Sequence, residues 1–135
     1  MLTTLASARP SPTHGIGLFA DQFIPKGTIT WRFDPKFDIV FPKDEVEKMP
    51  EYQKRLIKFF AYFSNKQQAY IYSIDDSRFL NHSTHPNHDI LPVQNEVELC
   101  NVSNCDIQIG EELTVDYRAF DDIDKESRAS YLQSS

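Results

Sequence analysis

The sequence predicts a mostly β domain carrying a small helical insert. Three observations predict it. Short apolar segments bounded by turn residues recur along most of the 135 residues. One stretch alone, 43–63, repeats apolar residues at three- and four-residue steps. The four glycines, Gly15, Gly17, Gly27 and Gly110, sit where extended segments begin or turn. A chain of this length makes one domain, with room for a core that needs no disulfide or metal.

The elements follow in order. Residues 1–11 carry Pro, Thr and Ser and little apolar content, which predicts a flexible N-terminal arm. The segment 15–33 reads as two short strands, with Pro25-Lys26-Gly27 as the turn between them. Trp31, Phe33 and Phe37 read as core. The insert spans about 43–68. Val46, Met49, Leu56, Phe59, Phe60 and Phe63 form its apolar stripe, and Pro50 is expected at the first position of a helix over about 50–62, with Glu51 near its positive end. Residues 69–74 read as a strand with Tyr70, Tyr72 and Ile74 on one face, and Asp75-Asp76 as a turn. Residues 89–103 read as a hairpin turning at Gln94-Asn95-Glu96, and 106–117 as a turn at Gly110 followed by a strand. The segment "DIQIGEELT" echoes "FIPKGTIT", a repetition of turn chemistry rather than of a whole unit. A polar tail occupies 119–135.

Composition narrows the function. Net charge is −6, which disfavours nucleic acid as a direct partner and suits a basic protein or peptide. No apolar run is long enough for a membrane helix, and the N-terminus does not read as a signal peptide. Cys100 and Cys105 are too few for a disulfide framework and lack zinc spacing, so they read as reduced thiols in an intracellular protein.

The stretch "RFLNHSTHPN" (78–87) is the densest in chemistry. His82, His85 and His88 are three apart, but Pro86 and the Asn, Ser and Thr content oppose a helix that would align them, so no metal site is expected. Ser83 beside His82 lacks a nucleophile elbow, so hydrolase chemistry is a distant reading. Asn81, His82, Ser83 and Asn87 suit a loop shaped by bonds to neighbouring backbone. Such a loop can also serve a ligand.

Three segments in fixed order suggest which ligand: "HGIGLFA" (14–20), "RFLNHSTHPN" (78–87) and "GEELTVDY" (110–117). Together with "FIPKGTIT", they resemble the SET domain of protein lysine methyltransferases, over roughly 12–118. The resemblance implies a β-clip-like fold of several short sheets, with a knot-like crossing of residues 112–117 over the polar stretch. It implies methyl transfer from S-adenosyl-L-methionine to a lysine of a protein substrate, leaving S-adenosyl-L-homocysteine and needing no metal. Tyr117 would border the transfer site. Gly15, Ile16, Gly17, Leu18, Asn81, His82, Tyr117 and Phe120 would meet the cofactor. Tyr70 and Tyr72 would line the lysine channel, while Arg78 and Phe79 would support the loop. Many members close that channel with a cysteine-rich zinc segment, and no cysteine follows residue 105 here. Phe120, or a second copy of the chain in a homodimer, would have to complete the wall. The alternative is a SET-fold binding module without turnover.

Overall fold

Ala6–Pro10 (β1) runs antiparallel to Ile16–Ala20 (β2), in register from Ala6 opposite Ala20 to Pro10 opposite Ile16. The computed structural model describes residues 1–119. The arm expected over 1–11 is therefore in large part an edge strand. Its polar side chains hid this, because an edge strand lives on backbone hydrogen bonds rather than on apolar burial. The Asp76 carboxylate accepts the Ala8 N–H at 3.0 Å, and Asp75 accepts that of Leu2 at 2.8 Å. The two acidic residues thus hold the N-terminal segment as well as forming a turn.

β2 also pairs with Glu112–Val115 (β10), which in turn runs parallel to Asn81–His82 (β7), giving a four-stranded sheet in the order β1-β2-β10-β7. Residues 112–115 thus lie against the polar stretch, as the resemblance implies. A second sheet orders Ile29–Trp31 (β3), Cys100–Ser103 (β9) and His88–Leu91 (β8), and β8 and β9 form the expected hairpin. A third orders Asp38–Pro42 (β4), Ala69–Ser73 (β6) and Tyr62–Ser64 (β5). Several small sheets and little helix make this the mostly β architecture expected.

The two echoing turns face each other. Ile24 and Ile107 exchange backbone hydrogen bonds of 2.9 and 2.8 Å, and both are fully buried with Leu18, Ala20 and Leu113. Repeated turn chemistry has thus become a reciprocal pairing that ties the two ends of the domain together.

The insert holds Lys43–Glu47 (α1) and Glu51–Phe60 (α2). Pro50 precedes α2 in extended backbone rather than opening it. The apolar stripe is only partly used. Ile57 is buried with Val46, Ala61, Phe63 and Tyr70, whereas Leu56 is 50% and Phe59 70% exposed. Phe63 is buried from β5, not from the helix. Trp31 is buried, but Phe37 is not. Among the described residues no helix is long and apolar enough to cross a membrane.

Candidate functional site

The three motif segments meet at Asn81, which is buried on β7. Its side-chain Nδ2 donates to Glu112 Oε2 at 2.8 Å, to the Ile16 carbonyl at 3.2 Å and to the His14 carbonyl at 3.3 Å. Ser11 Oγ donates to the other Glu112 oxygen at 2.8 Å. Gly17 makes this convergence sterically feasible, since a Cβ there would stand 2.3 Å from Glu112 Oε2 and 3.0 Å from Asn81 Nδ2. At Gly15 a Cβ would meet nothing within 4 Å, so that side of the loop is open. Ile16 is half exposed, whereas Leu18 is fully buried in the core cluster and pairs with Leu113 of β10.

The polar stretch is not a self-contained loop. Some bonds are local: Ser83 Oγ accepts the His85 N–H at 3.0 Å, Thr84 Oγ1 lies 3.2 Å from His85 Nδ1, and Asn87 Oδ1 lies 2.8 Å from His88 Nδ1. Asn87 bonds across to β10, donating to the Glu112 carbonyl at 2.8 Å and accepting the Thr114 N–H at 2.9 Å. Its amide thus continues the ladder where β7 has ended.

His82 and Tyr117 form a second junction. His82 is buried, and its Nδ1 accepts the Tyr117 N–H at 3.2 Å. That bond requires a lone pair on Nδ1 and so the neutral ring. Burial lowers the His82 pKa, outweighing the Asp116 carboxylate 3.6 Å away, so this contact is not an ion pair at neutral pH. The two rings stack with centroids 6.0 Å apart. The Tyr117 hydroxyl donates to the Leu80 carbonyl. Asp116 is engaged by Arg118, whose guanidinium holds the carboxyl below its ordinary value.

Tyr117 also lines a half-open pocket of about 70 Å³, together with Trp31, Phe60, Tyr62, Arg78 and Leu80. Tyr70 and Tyr72 do not line it. Alternation along β6 presents Ile71 and Ser73 to the pocket instead. Tyr70 packs against Phe63 with ring centroids 5.1 Å apart, and Tyr72 accepts from Arg78 Nη1 at 3.2 Å. Arg78 lies over the Phe60 and Phe79 rings and reaches the pocket as well. Trp31, Tyr62 and Ser73 are pocket residues that the sequence did not single out as such. Tyr62 closes the stretch read as helix, so its strand alternation was masked. Phe120 lies outside the described residues. His85 is exposed while His82 and His88 are buried, and among the described residues no three His, Cys, Asp or Glu side chains are grouped to hold a metal.

The family model described as the SET domain matches residues 15–118. No curated protein matches the chain. Among solved structures, a humanized mutant of the Chaetomium thermophilum Polycomb Repressive Complex 2, bound to the inhibitor GSK126, is similar at a TM-score of 0.64 and 22% identity. The match covers 91% of this chain and only 16% of that one. A Plasmodium falciparum protein assigned as a histone methyltransferase is similar at a TM-score of 0.58 and 18% identity, over 86% of this chain and 95% of that one. At such identities the likeness to these two structures is one of fold.

Proposed function

The chain belongs to the SET-domain family, and from that premise we propose that it methylates a lysine side chain of a protein substrate, with S-adenosyl-L-methionine as methyl donor. The observation that carries the reading is the position of Tyr117. Its backbone is tied to His82 in the polar stretch while its side chain lines the aromatic pocket, so one residue joins the two halves of a transfer site.

The residues fit the donor. The open space at Gly15, on the segment whose carbonyls Asn81 bonds, supports placing the donor on that side of the loop. When bound, S-adenosyl-L-methionine supplies a methyl on a sulfonium, whose C–S bond breaks as the lysine C–N bond forms, leaving S-adenosyl-L-homocysteine. The chain's own contribution is placement. Asn81, locked by Glu112 and two carbonyls, holds the donor side, and Gly17 keeps that lock possible. On the acceptor side, the pocket's aromatic faces take the aliphatic stem of lysine. A free lysine amine has a pKa of about 10.4, so it enters the pocket as the ammonium and must give its proton to solvent before it reacts, a loss that desolvation favours. Tyr117 gives its hydroxyl hydrogen to Leu80, so its oxygen meets the amine as an acceptor and orients the nitrogen lone pair. The product ammonium then releases a proton to solvent. The substrate we propose is a basic protein, histones among the candidates, and two free thiols suit the intracellular setting we propose.

Calorimetric titration of S-adenosyl-L-methionine into the protein tests the donor side. Saturable binding that Asn81→Ala weakens at least tenfold, together with transfer of labelled methyl groups to core histones or lysate proteins, is the expected result. A well-folded protein that binds no donor would refute the reading.

A further inference from the structure

We propose that the buried carboxylate of Glu98, acting through Tyr62, makes the aromatic pocket selective for a positively charged amine, so that Glu98 is a positioning residue for substrate recognition. The inference rests on the reading that this pocket takes the substrate lysine.

Glu98 is 5% exposed, and its hydrogen-bond partners among the described residues are neutral: Tyr62 Oη and Ser64 Oγ each donate at 2.7 Å, and Gln67 Nε2 at 2.9 Å. Among the described residues no Lys, Arg or His comes within 4.0 Å of it. A buried carboxylate without a counter-ion is costly, and hydrogen bonds offset only part of that cost. Its field is left for the nearest group that can use it, and one hydrogen bond away is a pocket wall. The second buried carboxylate behind this wall differs. Asp38 accepts from the pocket residue Ser73 at 2.6 Å, but its other oxygen meets the Met1 ammonium at 2.7 Å. Among the described residues, Glu98 has hydrogen-bond donors but no such cation.

Among the described residues, the lining contains no Asp or Glu. It reads the charge through hydroxyls. Tyr62, Ser73 and Tyr117 give their single hydroxyl hydrogens to Glu98, Asp38 and the Leu80 carbonyl, so each can meet a ligand only as an acceptor. Burial, and after it the Glu98 charge, holds the Tyr62 phenol above its ordinary pKa, so it stays protonated and committed. Trp31 and Tyr62 stand edge to face with centroids 5.8 Å apart, offering ring faces to a cation. One group opposes this: Arg78 also lines the pocket, stacked on Phe60 and Phe79 and bonded to Tyr72. An anionic ligand held by Arg78 is therefore the outcome that the test must separate.

The probes are n-butylamine, which copies a lysine side chain, with butan-1-ol as its uncharged counterpart and butyrate as the anion, each titrated by NMR. Butylammonium is expected to bind about tenfold more tightly than butanol, with butyrate weakest. Glu98→Gln keeps shape and hydrogen bonding and should abolish that advantage, leaving butanol binding and S-adenosyl-L-methionine affinity unchanged. Tyr62→Phe leaves Glu98 charged but removes the hydroxyl that carries its effect into the pocket; it should reduce the preference of amine over butanol, and it carries the test if Glu98→Gln does not fold. A preference for butyrate, no binding of any probe, or an undiminished amine preference in the folded variants would overturn the proposal. Amine selectivity that depends on Glu98, in a protein that transfers no methyl group, would uphold it while refuting the lysine reading.

Discussion

Asn81 and Glu112 lie 31 residues apart, and the amide nitrogen of one donates to the carboxylate of the other at 2.8 Å. This bond joins the last motif to the middle one, and the same nitrogen reaches the carbonyls of His14 and Ile16 in the first. Three segments that each mean little alone are thereby one structural unit. Its geometry explains why a glycine stands at position 17: the missing Cβ is where the Glu112 carboxylate sits.

Gly17→Ala should therefore act through Glu112. The clashing oxygen ends a flexible side chain, but that side chain is pinned by Asn81 and Ser11, so relief of the clash breaks those bonds. We expect donor affinity to fall about tenfold and stability by about 1–2 kcal/mol. Glu112→Ala should cost a similar amount, and the double variant little more than either alone, because both remove the same contact. Calorimetry and urea melts on the four proteins check this; strict additivity would mean that Gly17 acts elsewhere.

Tyr117→Phe isolates the hydroxyl. The ring keeps its stack on His82 and the backbone keeps its bond to Nδ1, since neither uses the oxygen. The lost bond to the Leu80 carbonyl costs about 1 kcal/mol of stability. Transfer should fall about a hundredfold through loss of amine orientation, with donor affinity within about threefold of the parent. Single-turnover methyl transfer beside calorimetry separates the two, and full activity in the variant would remove Tyr117 from the role proposed for it.

What was legible in the sequence was chemistry carried by residue type. Glycine at 17, Asn at 81 and 87 and the ordered motifs were visible because few residues can make their contacts. What stayed hidden was decided by packing between distant elements. A strand reading of 69–74 gives two faces but not which one meets the pocket. Phe63 of β5 settles that by packing on Tyr70, turning Ile71 and Ser73 inward. The strand at Ala6–Pro10 was hidden for another reason: its bonds come from β2 and Asp76. Leu56 and Phe59 followed the helical period and are nonetheless exposed, because α2 packs chiefly through Ile57.

His88 should make stability fall in acid. It is 2% exposed on β8, its Nδ1 lies 2.8 Å from the Asn87 oxygen, and its Nε2 is buried with no hydrogen-bond partner among the described residues. Burial pushes its pKa down to about 4, against the smaller opposing pull of Asp89 and a bond with Thr114. The folded pKa is depressed below the unfolded value of about 6.5, so the unfolded chain takes up the proton first. The neutral ring's contribution is complete above pH 6.5 and is lost as pH falls from there toward 4, at about 1.4 kcal/mol per unit and about 3 kcal/mol in all. His82, also lowered by burial, adds in the same direction, and a proton on its Nδ1 would expel the Tyr117 N–H. Urea melts at pH 7, 5.5 and 4.5 should show the decline, and His88→Gln should flatten it while lowering stability at pH 7. An unchanged slope in that variant would assign the acid sensitivity to His82 and the carboxylates instead.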